Sequence, residues 1–149
     1  MLDSAHGFEK FTNHSSQGFL PLGFYSYAHS YAREIGKVGR YCLISSGISV
    51  IRNSHPILTL SSSPVFYSPR KLREWGGHIP DEGMLTTFEP ETAPVTMGND
   101  VWVGRDVRIR SGVHIAMDAV VGAGSIVTRE VAPYSIVGGI PAKVIKYRF

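Results

Sequence analysis

The sequence predicts an all-β fold stacked from short strands and tight turns. Three observations predict it. First, a six-residue period runs unbroken from Met97 to Ala132, as MGNDVW, VGRDVR, IRSGVH, IAMDAV, VGAGSI and VTREVA. Second, 16 glycines and 9 prolines are more turn formers than a helix bundle or coiled coil accommodates. Third, a period of six matches neither the 3.6 of a helix nor the 2 of a long strand. It matches a short strand plus a turn, repeated, with one large side chain pointing inward per repeat.

Each segment follows from that pattern. Residues 1–25 show no period and read as an N-terminal cap. The period first appears upstream of the main block, as AREIGK, VGRYCL, ISSGIS and VIRNSH, ending at His55; Val38, Ile44 and Val50 fill its first slot. Residues 20–37 have room for one more coil. Residues 56–96 lack the period and carry Pro56, Pro64, Pro69, Pro80, Pro90 and Pro94 together with Phe66, Tyr67, Trp75 and Phe88. A loop of that length inside a compact domain is uncommon and usually functional. Its aromatics predict an ordered inserted loop, and KLREWGG predicts a helical turn. In the main block the first slot reads Met97, Val103, Ile109, Ile115, Val121, Val127, and the fifth reads Val101, Val107, Val113, Ala119, Ser125, Val131. Both slots are predicted to face the core. The stretch PYSIVGGIPAKVIKYRF closes the block.

Composition bounds the rest. The chain of 149 residues predicts one domain, and 43% hydrophobic residues exclude bulk disorder. A net charge of +3 suits an anionic small ligand and is too slight to argue for nucleic acid. The single cysteine, Cys42, excludes an intrachain disulfide and a cysteine-cluster zinc site. No apolar run approaches the ~18 residues of a transmembrane helix. MLDSAHGFEKF has no apolar signal core, so the expected location is the cytoplasm.

The repeat itself resembles the hexapeptide-repeat acyltransferases. GNDVWVGRDVRIRSGVHI and VVGAGSIVTREVAPYSIVGGIPAKVI are similar to the C-terminal half of the xenobiotic and sugar O-acetyltransferases. VGRYCLISSGISVIRNSHP, with TLSSSPVFY after it, resembles the chloramphenicol/virginiamycin-type branch and its polysaccharide O-acetyltransferase relatives. The resemblance implies a left-handed parallel β-helix of three-sided coils, against the usual right-handed rule for parallel crossovers. It implies acetyl-CoA as co-substrate, no metal, and a homotrimer with active sites between subunits. A prism of about four coils, roughly 20 Å tall at the spacing of stacked strands, has a small core, which favours association.

Acyl transfer from a thioester to a hydroxyl needs a base, because a protonated alcohol is a weak nucleophile. Histidine suits that work near neutral pH. The resemblance gives the role to His55; read alone, it is more often a loop histidine bonded to backbone. Asp81, Glu82, Glu89 or a backbone carbonyl is available to orient it. The resemblance places the pantetheine arm along Gly104, Arg105 and Ala123. Thr128 and Arg129 match a Thr-Lys pair at the cofactor, and Lys143 and Lys146 match basic residues near the nucleotide phosphates. Residues 131–149 carry Lys143, Lys146 and Arg148 with no acid, which suits a polyanion and also an ordinary solvated tail. Trp102 lines the thioester cleft or packs between subunits. Cys42 occupies a fifth slot and is expected in the core, not as a nucleophile. A carbonic-anhydrase-like zinc site needs an H-x-x-x-x-H spacing, but Ala119 follows His114 at that distance. The expected activity is O-acetyl transfer to a sugar or polysaccharide precursor. Its rivals are antibiotic O-acetylation and a non-catalytic β-helix scaffold.

Overall fold

The structure, a computed structural model, describes residues 9, 11–52, 55–78, 87–90 and 92–149. The chain divides into two compact units, one of residues Met1–Ile51 with Thr92–Phe149, the other Arg52–Glu91.

The first unit is a three-sided parallel β-helix. Its strands are β1 (Tyr27–Ala28), β2 (Ile35–Val38), β3 (Leu43–Ile44) and β4 (Ser49–Ile51), then β5 (Val95–Met97), β6 (Trp102–Val103), β7 (Arg108–Arg110), β8 (His114–Ile115), β9 (Val120–Val121), β10 (Ile126–Val127), β11 (Ser135–Gly138) and β12 (Lys143–Tyr147). From β2 to β10 successive strands visit three sheets in turn, with orders β1-β3-β6-β9-β11-β12, β10-β7-β4 and β2-β5-β8. Strands β1 to β11 pair in parallel with their counterparts one coil away, so Val38 meets Met97, Ile44 meets Val103 and Val50 meets Ile109. The first slots therefore stack. Met97, Val103, Ile109, Ile115, Val121 and Val127 are all buried, and so are the fifth-slot residues, Ser125 included. Ser125 tolerates burial because its hydroxyl donates to the Gly122 carbonyl at 2.6 Å.

The turns explain the remaining slots. Tyr41, Asp100, Asp118 and Tyr134 share the left-handed backbone conformation at one corner, and each N–H reaches a carbonyl of the preceding coil, as from Asp100 to Arg40 at 2.8 Å. Aspartate enters that conformation more readily than most residues. Gly104 lies so close to the next coil that a Cβ there would stand 2.6 Å from the Ala123 backbone nitrogen.

At the N-terminal end, Leu20, Leu22, Ala28 and Ala32 are buried. The Glu9 carboxylate accepts from the Phe24 N–H and from the Arg40 guanidinium, which holds its carboxyl below the usual carboxylate range. At the other end β12 turns back and pairs antiparallel with β11.

Two boundaries differ from the sequence reading. The second unit begins at Arg52 and ends at Glu91, and Val95 and Thr96 lie in β5 instead of the inserted loop. Val95 is fully buried; the lead-in to the block escapes a count begun at Met97. Within the second unit, a 3-10 turn at Pro64–Phe66 precedes helix α1 (Pro69–Glu74), whose N-cap Ser68 accepts from the Lys71 N–H. This helix is the turn that KLREWGG predicts.

Candidate active site

The outward residues of the three sheets differ in chemistry. In the sheet of β1, β3, β6, β9 and β11, Tyr27, Leu43, Trp102, Val120 and Ile136 stand in one register column. Trp102 keeps 51% of its surface exposed. The second sheet carries Arg108 beside Ser49 and Ile126, and Arg110 beside Ile51. The third aligns Lys37, Thr96 and His114. There the Thr96 hydroxyl and His114 Nδ1 are 2.9 Å apart.

Trp102 leads along its own strand to the corner where Gly104 packs on Ala123. The Gly104 N–H donates to the Val121 carbonyl at 2.8 Å, and the Gly124 N–H to the Arg105 carbonyl at 2.8 Å. Arg105 and Ala123 are exposed at this corner. The Arg105 guanidinium lies 3.7 Å from the Asp106 carboxylate, a largely exposed pair of little energetic weight. The corner is thus backbone and short side chains beside an exposed indole.

Arg129 and Lys143 come together at a cavity of ≈ 280 Å³, floored by Val127 and Val137 and shared with Glu130. Thr128 adjoins Arg129 and is half-buried. Lys146 lies on β12 opposite Ile136, two strands from Trp102's column-mate Val120. Every residue of β12 is exposed. Arg148, by contrast, is engaged: its guanidinium reaches Asp100 at 3.0 Å and Asp118 at 3.5 Å.

His55 belongs to the second unit. Its imidazole is exposed, and Nδ1 lies 2.6 Å from the Tyr67 hydroxyl oxygen. Tyr67 is half-buried and packs edge-on against Phe88, with ring centroids 5.2 Å apart. The sequence offered acids or a backbone carbonyl as partners for His55. Of the acids, Asp81 and Glu82 lie outside the described residues and Glu89 is exposed. Sequence reasoning missed Tyr67 because a tyrosine twelve residues away in an aperiodic segment carries no spacing signal. Cys42 is fully buried, and burial pushes its thiol up; its Sγ lies 3.2 Å from the Gly98 carbonyl oxygen.

Comparison with known proteins bears on this arrangement. Residues 94–129 match the family model described as bacterial transferase hexapeptide, six repeats. A chloramphenicol acetyltransferase of Klebsiella aerogenes is 37% identical over 115 residues, covering 75% of this chain and 51% of that protein. A probable macrolide acetyltransferase of Lysinibacillus sphaericus is 34% identical over 138 residues, 87% of this chain and 71% of that protein. Among solved structures, a galactoside acetyltransferase in complex with coenzyme A superposes with a TM-score of 0.53 at 25% identity, over 94% of this chain and 65% of that one. The chain spans about half the length of the chloramphenicol acetyltransferases it matches, 51% and 57%.

Proposed function

The chain belongs to the hexapeptide-repeat acetyltransferases, and on that premise we propose that it moves an acetyl group from acetyl-CoA to a hydroxyl of a sugar or polysaccharide precursor. The observation that carries the reading is the run of surface from Trp102, over the Gly104–Ala123 corner, with the cationic cavity of Arg129 and Lys143 in the same unit. A pantetheine arm is thin and neutral and suits a corner of backbone and short side chains. The nucleotide end is a polyanion and suits Arg129, Lys143 and Lys146. Thr128 supplies a hydroxyl beside them, and Arg105 a cation at the corner.

In this reading His55 is the general base. The neutral imidazole takes the hydroxyl proton as the acceptor oxygen bonds to the thioester carbonyl carbon. The tetrahedral oxyanion collapses, the carbon–sulfur bond breaks, and the coenzyme A thiolate takes the proton back from the imidazolium. No covalent enzyme intermediate forms and no metal takes part. Antibiotic hydroxyls are the second acceptor class, favoured by the chloramphenicol and macrolide relatives.

The coils wind left-handed, and the chain works as a homotrimer in the cytoplasm, where acetyl-CoA is available. Support for association comes from the outward apolar column of Tyr27, Leu43, Trp102, Val120 and Ile136, in which Tyr27 and Trp102 are exposed and the other three half-buried. Among the described residues no helix is long and apolar enough to cross a membrane. Equilibrium binding of acetyl-CoA, with light-scattering mass on the same sample, tests the reading. Saturable binding to a particle of about three times 16.3 kDa is expected. A monomer that ignores acetyl-CoA contradicts it.

A further inference from the structure

We propose that Tyr67 is a positioning residue for His55, accepting the Nδ1–H at its phenolic oxygen so that Nε2 is left with the lone pair that takes the acceptor's proton. This rests on His55 being the base in the reading above. A neutral imidazole carries one N–H and one bare nitrogen, and the partner of the first decides which nitrogen does the work. The 2.6 Å separation of Nδ1 and the Tyr67 oxygen is a short hydrogen bond that fixes the ring's orientation, and with the phenol as acceptor it selects the Nδ1–H tautomer. Without a partner, an exposed histidine samples several rotamers and both tautomers.

The second unit is built to hold Tyr67 still. Pro64 opens the 3-10 turn, and its carbonyl accepts from the Tyr67 N–H at 3.2 Å and the Ser68 N–H at 2.8 Å. Ser68 then caps α1, so Tyr67 sits clamped between two short helical elements. Phe88, from the far end of the same unit, packs edge-on against its ring. The His55 and Tyr67 rings stand at 71° with centroids 6.1 Å apart, which aims the hydroxyl at the imidazole edge.

The contact also acts during the reaction. As Nε2 gains the hydroxyl proton, the imidazole becomes a cation and the Nδ1–H to phenol bond becomes charge-assisted, roughly twice as strong as a neutral one. The gain appears in the transition state and not in the bound ground state, so it raises kcat and leaves KM alone. Tyr67 touches no reacting atom and exchanges no proton with substrate.

The test compares Tyr67→Phe and His55→Ala with the parent, using steady-state acetyl transfer and long-range proton–nitrogen NMR of the His55 ring. Tyr67→Phe keeps the ring packed on Phe88 and removes only the oxygen. Its expected effect is a fall in kcat of about tenfold, the scale of one charge-assisted hydrogen bond, with KM for both substrates unchanged. The parent spectrum should show the proton on Nδ1, and the variant's should move towards Nε2–H. In a His55→Ala background, Tyr67→Phe should cost nothing further. Parent-like turnover in Tyr67→Phe beside an inactive His55→Ala overturns the positioning role alone. A parent spectrum with the proton on Nε2 also overturns it, since Tyr67 would then be the donor. Full activity in His55→Ala removes the base itself.

Discussion

Cys42 and His55 offer competing chemistries, and their surroundings separate them. The thiol is fully buried, and desolvation raises its pKa. It therefore stays protonated, while a thiolate is what attacks or is alkylated. An alkylating agent at pH 8 should leave the folded chain unmodified and its acetyl transfer intact, with labelling only on unfolding. Prompt labelling with loss of activity would favour a covalent route through Cys42. His55 is exposed and fills no inward slot. His55→Ala should keep the thermal midpoint and acetyl-CoA affinity while turnover falls about 10²–10⁴-fold, the scale of a lost general base. In the parent, kcat/KM should rise with pH, because only the neutral ring accepts a proton. At this scale the sequence was informative where residues repeat: Cys42 aligns with Val101 and Val107 in the fifth slot, so its burial could be read directly. Tyr67 could not be read, because its meeting with His55 depends on how an aperiodic segment closes on itself.

Strands, corners and the C-terminal hairpin carry the next level of the account. The coils were legible because each strand is two to five residues long and repeats one inward side chain, which stacking requires to be apolar. The edges of the inserted segment were less so: Thr96 points outward from β5 and breaks the apolar signal just before Met97. The antiparallel return of β12 was not legible either, because it depends on the turn after β11 and not on the six-residue period. That return is what brings Lys143 to the cavity with Arg129 and puts Lys146 beside Ile136. Replacing Lys143 and Lys146 together by alanine should raise KM for acetyl-CoA more than it lowers kcat, because phosphate contacts hold ground and transition states alike. With an acetyl-pantetheine lacking the nucleotide, variant and parent should match. A double variant with the parent KM removes the hairpin from the cofactor site.

At the largest scale the chain divides into two compact units, and the first is a short stack of coils. A stack of so few coils buries a narrow column of Leu, Ile, Val and Met, as the slots predicted. One outer sheet keeps an apolar column at its surface, the second presents arginines and the third is polar. That asymmetry could not be read from a period that reports only the inward slots, since outward residues are free to vary in type. Acetyl transfer is the proposed activity, with the Gly104–Ala123 corner proposed for the arm, Arg129 and Lys143 for the phosphates and His55 for the hydroxyl. The most direct measurement is release of free coenzyme A thiol from acetyl-CoA, followed over a panel of sugar, polysaccharide and antibiotic hydroxyl acceptors. The expected result is release that depends on an acceptor, matches the O-acetyl product mole for mole, and falls about 10²–10⁴-fold in His55→Ala. Tight binding of acetyl-CoA with no acceptor-dependent release across the panel would contradict it and leave a non-catalytic binding protein.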